Sequence, residues 1–94
     1  MPELHFRVRW PDDSTSLCYS PSSTVRDALK LEYAYPLDEF VAASRAALEH
    51  ASDRVAKKYG WGCGHAAAQI REIEATAQRW SGDPQASVTV ISFE

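Results

Sequence analysis

The best candidates for chemistry in the sequence lie in a short glycine-rich stretch that runs from Gly60 to His65. Alternating glycines free the backbone there, and Cys63 comes just before a segment with helical periodicity. Because the positive end of a helix dipole lowers the pKa of a thiol, Cys63 could act as a nucleophilic thiolate. His65 would then be its base or its cationic neighbour. Cys63 and His65 are therefore the candidate catalytic residues.

The same stretch also fits a structural role, as a turn between two helices. Gly60 can cap the first helix in the left-handed conformation, Gly64 relieves crowding and Trp61 fills space in the core. Cys63 would then be a small buried side chain, without the exposure and positive surroundings that make a thiol reactive. We prefer this interpretation. Anion binding by the N–H groups of the turn is a further alternative.

A metal site would require three or four converging ligands, and the Cys63-x-His65 pair supplies only two. Cys18, His5 or His50 would have to complete the set, but no spacing motif supports this combination. No metal site is predicted.

Acid–base and nucleotide chemistry have no better support. The adjacent carboxylates Asp12 and Asp13 lie in a predicted turn, and Asp38 and Glu39 lie at a predicted helix start, so structural roles explain both pairs. The glycines near position 60 follow a helix rather than the strand that a dinucleotide-binding loop requires. No cofactor is predicted, and the sequence does not identify a small-molecule ligand.

Composition limits the class of protein. A chain of 94 residues with 45% hydrophobic residues suits a single α+β domain over residues 1–94 that folds without a cofactor. The net charge is -3 and the cations are scattered, which argues against a nucleic-acid partner. The sequence shows neither a membrane-spanning apolar run nor a signal peptide, so we expect a cytoplasmic protein with reduced cysteines and no membrane partner.

Period-two alternation predicts three strands. Leu4 to Trp10 and Ser16 to Ser20 flank a turn at residues 11–14 and form a hairpin, and Ser87 to Phe93 forms a third strand rich in β-branched residues. Residues 21–36 are predicted to be irregular, although Thr24 and Asp27 resemble a capping box and Tyr33 and Tyr35 alternate like an extended segment.

Helical periodicity predicts two helices. The first begins near Pro36 and ends at Gly60, with an apolar stripe at three- and four-residue spacing made of Leu37, Phe40, Val41, Ser44, Ala47, Leu48, Ala51, Val55 and Tyr59. The second carries Ala66, Ile70, Ile73, Ala77 and Trp80. The order β-β-α-α-β predicts a three-stranded antiparallel sheet with two antiparallel helices packed on one face.

The other face of that sheet is the predicted interaction surface. If the apolar residues of the first strand and Val88 and Val90 face the helices, the opposite side chains point outward. They are His5, Arg7, Arg9, Cys18, Ile91 and Phe93. Cationic stems beside exposed apolar groups favour self-association or the docking of a protein partner.

Four stretches of the chain resemble a small bacterial family of nitrogen-starvation response proteins. They read LHFRVRWPD from Leu4, CYSPS from Cys18, YPLDEFV from Tyr35 and KYGWGC from Lys58. The resemblance implies a gene cluster with a nitrilase-like enzyme, a radical-SAM protein, an acetyltransferase and a flavoprotein. It carries over no catalytic motif.

We therefore expect a non-enzymatic accessory or protein-binding module in a bacterial nitrogen-starvation or nitrogen-acquisition pathway, acting with the nitrilase-like enzyme. A small thiol-dependent enzyme using Cys63 with His65, and a structural homo-oligomer such as a dimer, are the alternatives.

Overall fold

The computed structural model describes residues 3–60 and 64–94. Its elements, in chain order, are β1 (Leu4–Arg9), β2 (Thr15–Ser20), α1 (Val25–Ala28), β3 (Ala34–Pro36), α2 (Leu37–Tyr59), α3 (Gly64–Ala77), a 3₁₀ turn (Gln78–Trp80) and β4 (Ser87–Phe93). The α+β class and the antiparallel sheet are confirmed.

Within the described residues the sheet has four strands, in the order β2-β1-β4-β3, and all neighbouring strands are antiparallel. The prediction of three strands was wrong because β3 is only three residues long, too short for its alternation to distinguish a strand from an irregular segment. Pro36 in β3 has no N–H to donate, and such a strand suits the edge of a sheet, where β3 pairs with β4 alone.

The segment 21–36, predicted to be irregular, contains both β3 and the short helix α1. Thr24 precedes α1, but its side chain makes no capping hydrogen bond. The backbone N–H of Thr24 instead donates to Ser22 Oγ at 3.3 Å. The described residues therefore contain a short helix, α1, in addition to the two predicted helices.

The predicted limits of α2 are confirmed. Phe40, Leu48 and Ala51 on its apolar stripe are fully buried. Gly60 ends the helix with φ at 90°, and its N–H donates to the carbonyl of Ala56 at 2.7 Å. Glycine adopts this left-handed conformation at little cost, which explains the stop.

One core lies between the sheet and the helices. Its sheet residues include Leu4, Phe6, Val8, Val88 and Val90, all buried. α2 and α3 pack against each other, and Leu48 of α2 and Ile73 of α3 lie in this same cluster.

An aromatic stack fixes the end of α3 to the sheet. The Trp10 ring stacks on Trp80 with centroids 5.8 Å apart and meets Phe40 edge-on at the same distance. Arg79 covers the Trp80 ring at 4.7 Å, and its guanidinium also pairs with Asp12 at 3.4 Å. The turn after β1 and the end of α3 are thereby held together.

Candidate interaction face

The face of the sheet opposite the core carries the cationic row of β1. His5 and Arg7 are half-buried and Arg9 is exposed, while Leu4, Phe6 and Val8 between them are buried in the core. These three cationic positions therefore lie together on the open side of the sheet, where the alternation of β1 predicted them.

Strand β2 adds an apolar residue to this open face. Arg7 lies opposite Leu17 and His5 lies opposite Tyr19 in the antiparallel register. Leu17 is 48% exposed, one of the larger exposed apolar side chains of the molecule. Neither Leu17 nor Tyr19 was predicted to belong to this surface.

Cys18 lies on the other side, in the core, which corrects its predicted place on the open face. It pairs with Phe6 and is 1% exposed. In the β1–β2 register, even-numbered residues of β1 pair with even-numbered residues of β2. Because the even-numbered residues of β1 point into the core, Cys18 points there too. Burial raises the pKa of the Cys18 thiol to about 12, and the negative charge of Glu72 adds to the shift. Cys18 is therefore a protonated, unreactive thiol.

Phe93 also lies on the core side, because a β-bulge changes the phase of β4. Val8 pairs with Val90, but Arg7 pairs with Ser92, so Ile91 is an additional residue. Val90 before the bulge and Phe93 after it both turn to the core, where Phe93 packs half-buried. Ile91 is half-buried and follows the inward Val90, so the alternation of the strand turns it towards the open face.

The side chain of Glu94 neutralises the charge of Arg7 in the middle of the open face. Glu94 Oε2 accepts a hydrogen bond from Arg7 Nε at 3.0 Å and another from Ser92 Oγ at 2.9 Å. These two hydrogen bonds, that from Arg7 foremost, lower the pKa of Glu94. The side chains of Arg9 and Glu3 form no ion pair or hydrogen bond with the residues that the structure describes.

At the edge of the face, β2 meets the start of α3. Gln69 Oε1 accepts the backbone N–H of Tyr19 at 2.9 Å, so a buried side chain of α3 caps part of the free edge of β2. The Tyr19 ring meets His5 on one side and His65 on the other, each with centroids 5.8 Å apart.

Of the candidate catalytic residues, Cys63 lies outside the described residues. His65 is exposed in the first turn of α3 and borders an open groove of about 440 Å³ with Glu3, Tyr19 and Glu72. Sequence reasoning missed this contact between His65 and Tyr19, because no local pattern relates β2 to α3.

The other chemical candidates are structural where they are described. Asp12 Oδ1 accepts hydrogen bonds from the backbone N–H and the hydroxyl of Ser14, which fixes the hairpin turn. Within residues 3–60 and 64–94, no three His, Cys, Asp or Glu side chains converge on a possible metal position. Among the described residues, no helix is both long enough and apolar enough to span a membrane.

A family model described as nitrogen starvation-induced protein NitG matches residues 5–93. No curated protein and no solved structure matches the chain.

Proposed function

The chain belongs to the NitG family of nitrogen starvation-induced proteins, and on that premise we propose that it is a non-enzymatic accessory module that acts by binding protein. The binding surface in this proposal is the open face of the sheet, defined by His5, Arg7, Arg9, Leu17, Tyr19 and Ile91. The observation that carries it is the exposure of Leu17 beside a cationic row, on a sheet whose other face forms the core with the helices.

The chemistry of the open face fits protein recognition. Arg and aromatic residues are enriched at the centre of protein interfaces, and Leu17 and Ile91 supply apolar area around Arg7. Arg7 is already held by Glu94, so less side-chain entropy is lost when a partner covers it.

The competing hypothesis is a thiol-dependent enzyme that uses Cys63 with His65. His65 is exposed, and its described ring contact is with Tyr19. An accessory role requires neither the thiol nor the imidazole, whereas a thiol enzyme requires both.

Survival under nitrogen starvation separates the two hypotheses. A strain that lacks the gene is complemented with an Arg7→Glu, Ile91→Glu variant, with a Cys63→Ser, His65→Ala variant, and with Arg71→Glu as a control. Arg71 is exposed on α3, away from the open face. We expect the open-face variant to fail and the other two to restore survival, with equal protein levels by immunoblot. Failure of the Cys63→Ser, His65→Ala variant, with survival restored by the open-face variant, would support the enzyme instead.

The resemblance of the chain to a family with a neighbouring nitrilase-like enzyme suggests the partner to test first. Purified nitrilase-like enzyme from the same gene cluster should bind the wild-type protein and the Arg71→Glu control in a titration calorimeter. Binding to the open-face variant should be weaker by at least about tenfold, since loss of an interface centre commonly has effects of this size. Equal binding by all three proteins would place the contact elsewhere.

A further inference from the structure

We infer, on the premise that the open face is the binding surface proposed above, that it also docks against the open face of a second copy of this chain. The two sheets would be related by a twofold axis that reverses the strand direction. Arg9 of each copy would then lie opposite Glu3 of the other.

Two charges of opposite sign, neither of which forms an ion pair with the described residues, mark the ends of this face. Glu3 is exposed just before β1, and Arg9 is exposed at its end. They are six residue steps apart, which is about 20 Å in an extended chain. Arg9 shares the outward side of β1 with His5 and Arg7. Glu3 lies one residue before the strand and borders the groove that Tyr19 and His65 line, and continuing the extended chain past Leu4 puts it on the same side.

The order of these charges selects one way of stacking two copies. With β1 strands parallel, Arg9 would lie against Arg9 and Glu3 against Glu3, which is repulsive at both ends. With β1 strands antiparallel, each Arg9 lies against Glu3, which is attractive at both ends. The middle of the face adds little repulsion, because Arg7 is already neutralised by Glu94.

The same antiparallel stacking also covers the exposed leucine of β2. The twofold axis passes over β1 near Phe6, so His5 of one copy lies opposite Arg7 of the other. Since Tyr19 pairs with His5 and Leu17 with Arg7, Leu17 of one copy comes to lie over Tyr19 of the other. A side chain that is 48% exposed is thereby buried against an aromatic ring.

Charge reversal tests this arrangement directly by sedimentation velocity at low ionic strength. We expect wild type and the Arg71→Glu control to form dimers. Arg9→Glu alone and Glu3→Arg alone should each dimerise at least about tenfold more weakly, because both end contacts become repulsive. An equimolar mixture of the two variants should dimerise again, since each reversed charge then meets its opposite. Circular dichroism checks that both variants fold.

A monomeric wild type, or a mixture that associates no better than the single variants, would overturn the twofold pairing. The starvation assay then separates this failure from failure of the proposed function. Loss of survival in the open-face variant, together with a monomeric wild type, leaves the accessory role intact. If the mixture of the two variants dimerises and the open-face variant also restores survival, the twofold pairing is supported and the accessory role of this face is overturned.

Discussion

Truncation of Phe40 tests whether this side chain is part of the core between α2 and the sheet. Phe40 is fully buried on α2, and its ring meets Trp10 at 5.8 Å and Tyr35 at 6.1 Å, both edge-on. Phe40→Ala removes the buried ring, leaves a cavity and loses both aromatic contacts, so the free energy of unfolding should fall by about 3 to 5 kcal/mol. A domain of this length has about 5 to 14 kcal/mol in total, so the loss is a large fraction.

Glu49→Ala on the same helix is the matched control. The Glu49 carboxylate pairs with Arg45 at 2.7 Å, but both side chains are more than half exposed, so water screens the pair and its loss should change the free energy of unfolding little. Urea unfolding followed by tryptophan fluorescence and by circular dichroism measures both losses. Equal losses for Phe40→Ala and Glu49→Ala would show that α2 buries a different face.

Three further perturbations test contacts between distant parts of the chain. Burial raises the pKa of Cys18 from its ordinary 9.0 to about 12, so the stability that is present below pH 9.0 is lost as the pH rises towards 12. Urea midpoints measured across this pH range should fall less for Cys18→Val than for wild type. Gln69→Ala should cost about 1 kcal/mol and speed hydrogen exchange of the Tyr19 amide, whereas unchanged exchange would mean that this bond does not protect the edge. The hydrogen bonds from Ser14 and then the charge of Arg79 lower the pKa of Asp12 below 3.8. The stability that the Asp12 carboxylate contributes is therefore lost as the pH falls through that lowered pKa. Urea midpoints measured at falling pH should drop less for Asp12→Asn than for wild type.

The open face could be read only in part from the sequence. Alternation within β1 placed His5, Arg7 and Arg9 correctly, because the two faces of a strand are a local property of the backbone. The faces of Cys18 and Phe93 depended on pairing with another strand. Cys18 turns inward because of the hairpin register, and Phe93 because of the bulge in β4.

The sequence by itself determined the elements whose signals lie within a few residues: the hairpin turn, the length of α2 and its cap at Gly60, and the inward set of β4 up to Val90. Hydrophobic periodicity and capping act over one or two turns, so a single segment contains all the information. Only the tertiary structure decided that Ala34–Pro36 joins the sheet, that Gln69 caps the edge at Tyr19, and that Glu94 returns to Arg7. Each of these contacts joins groups that are distant in sequence, and their free energy arises only when the whole core has closed.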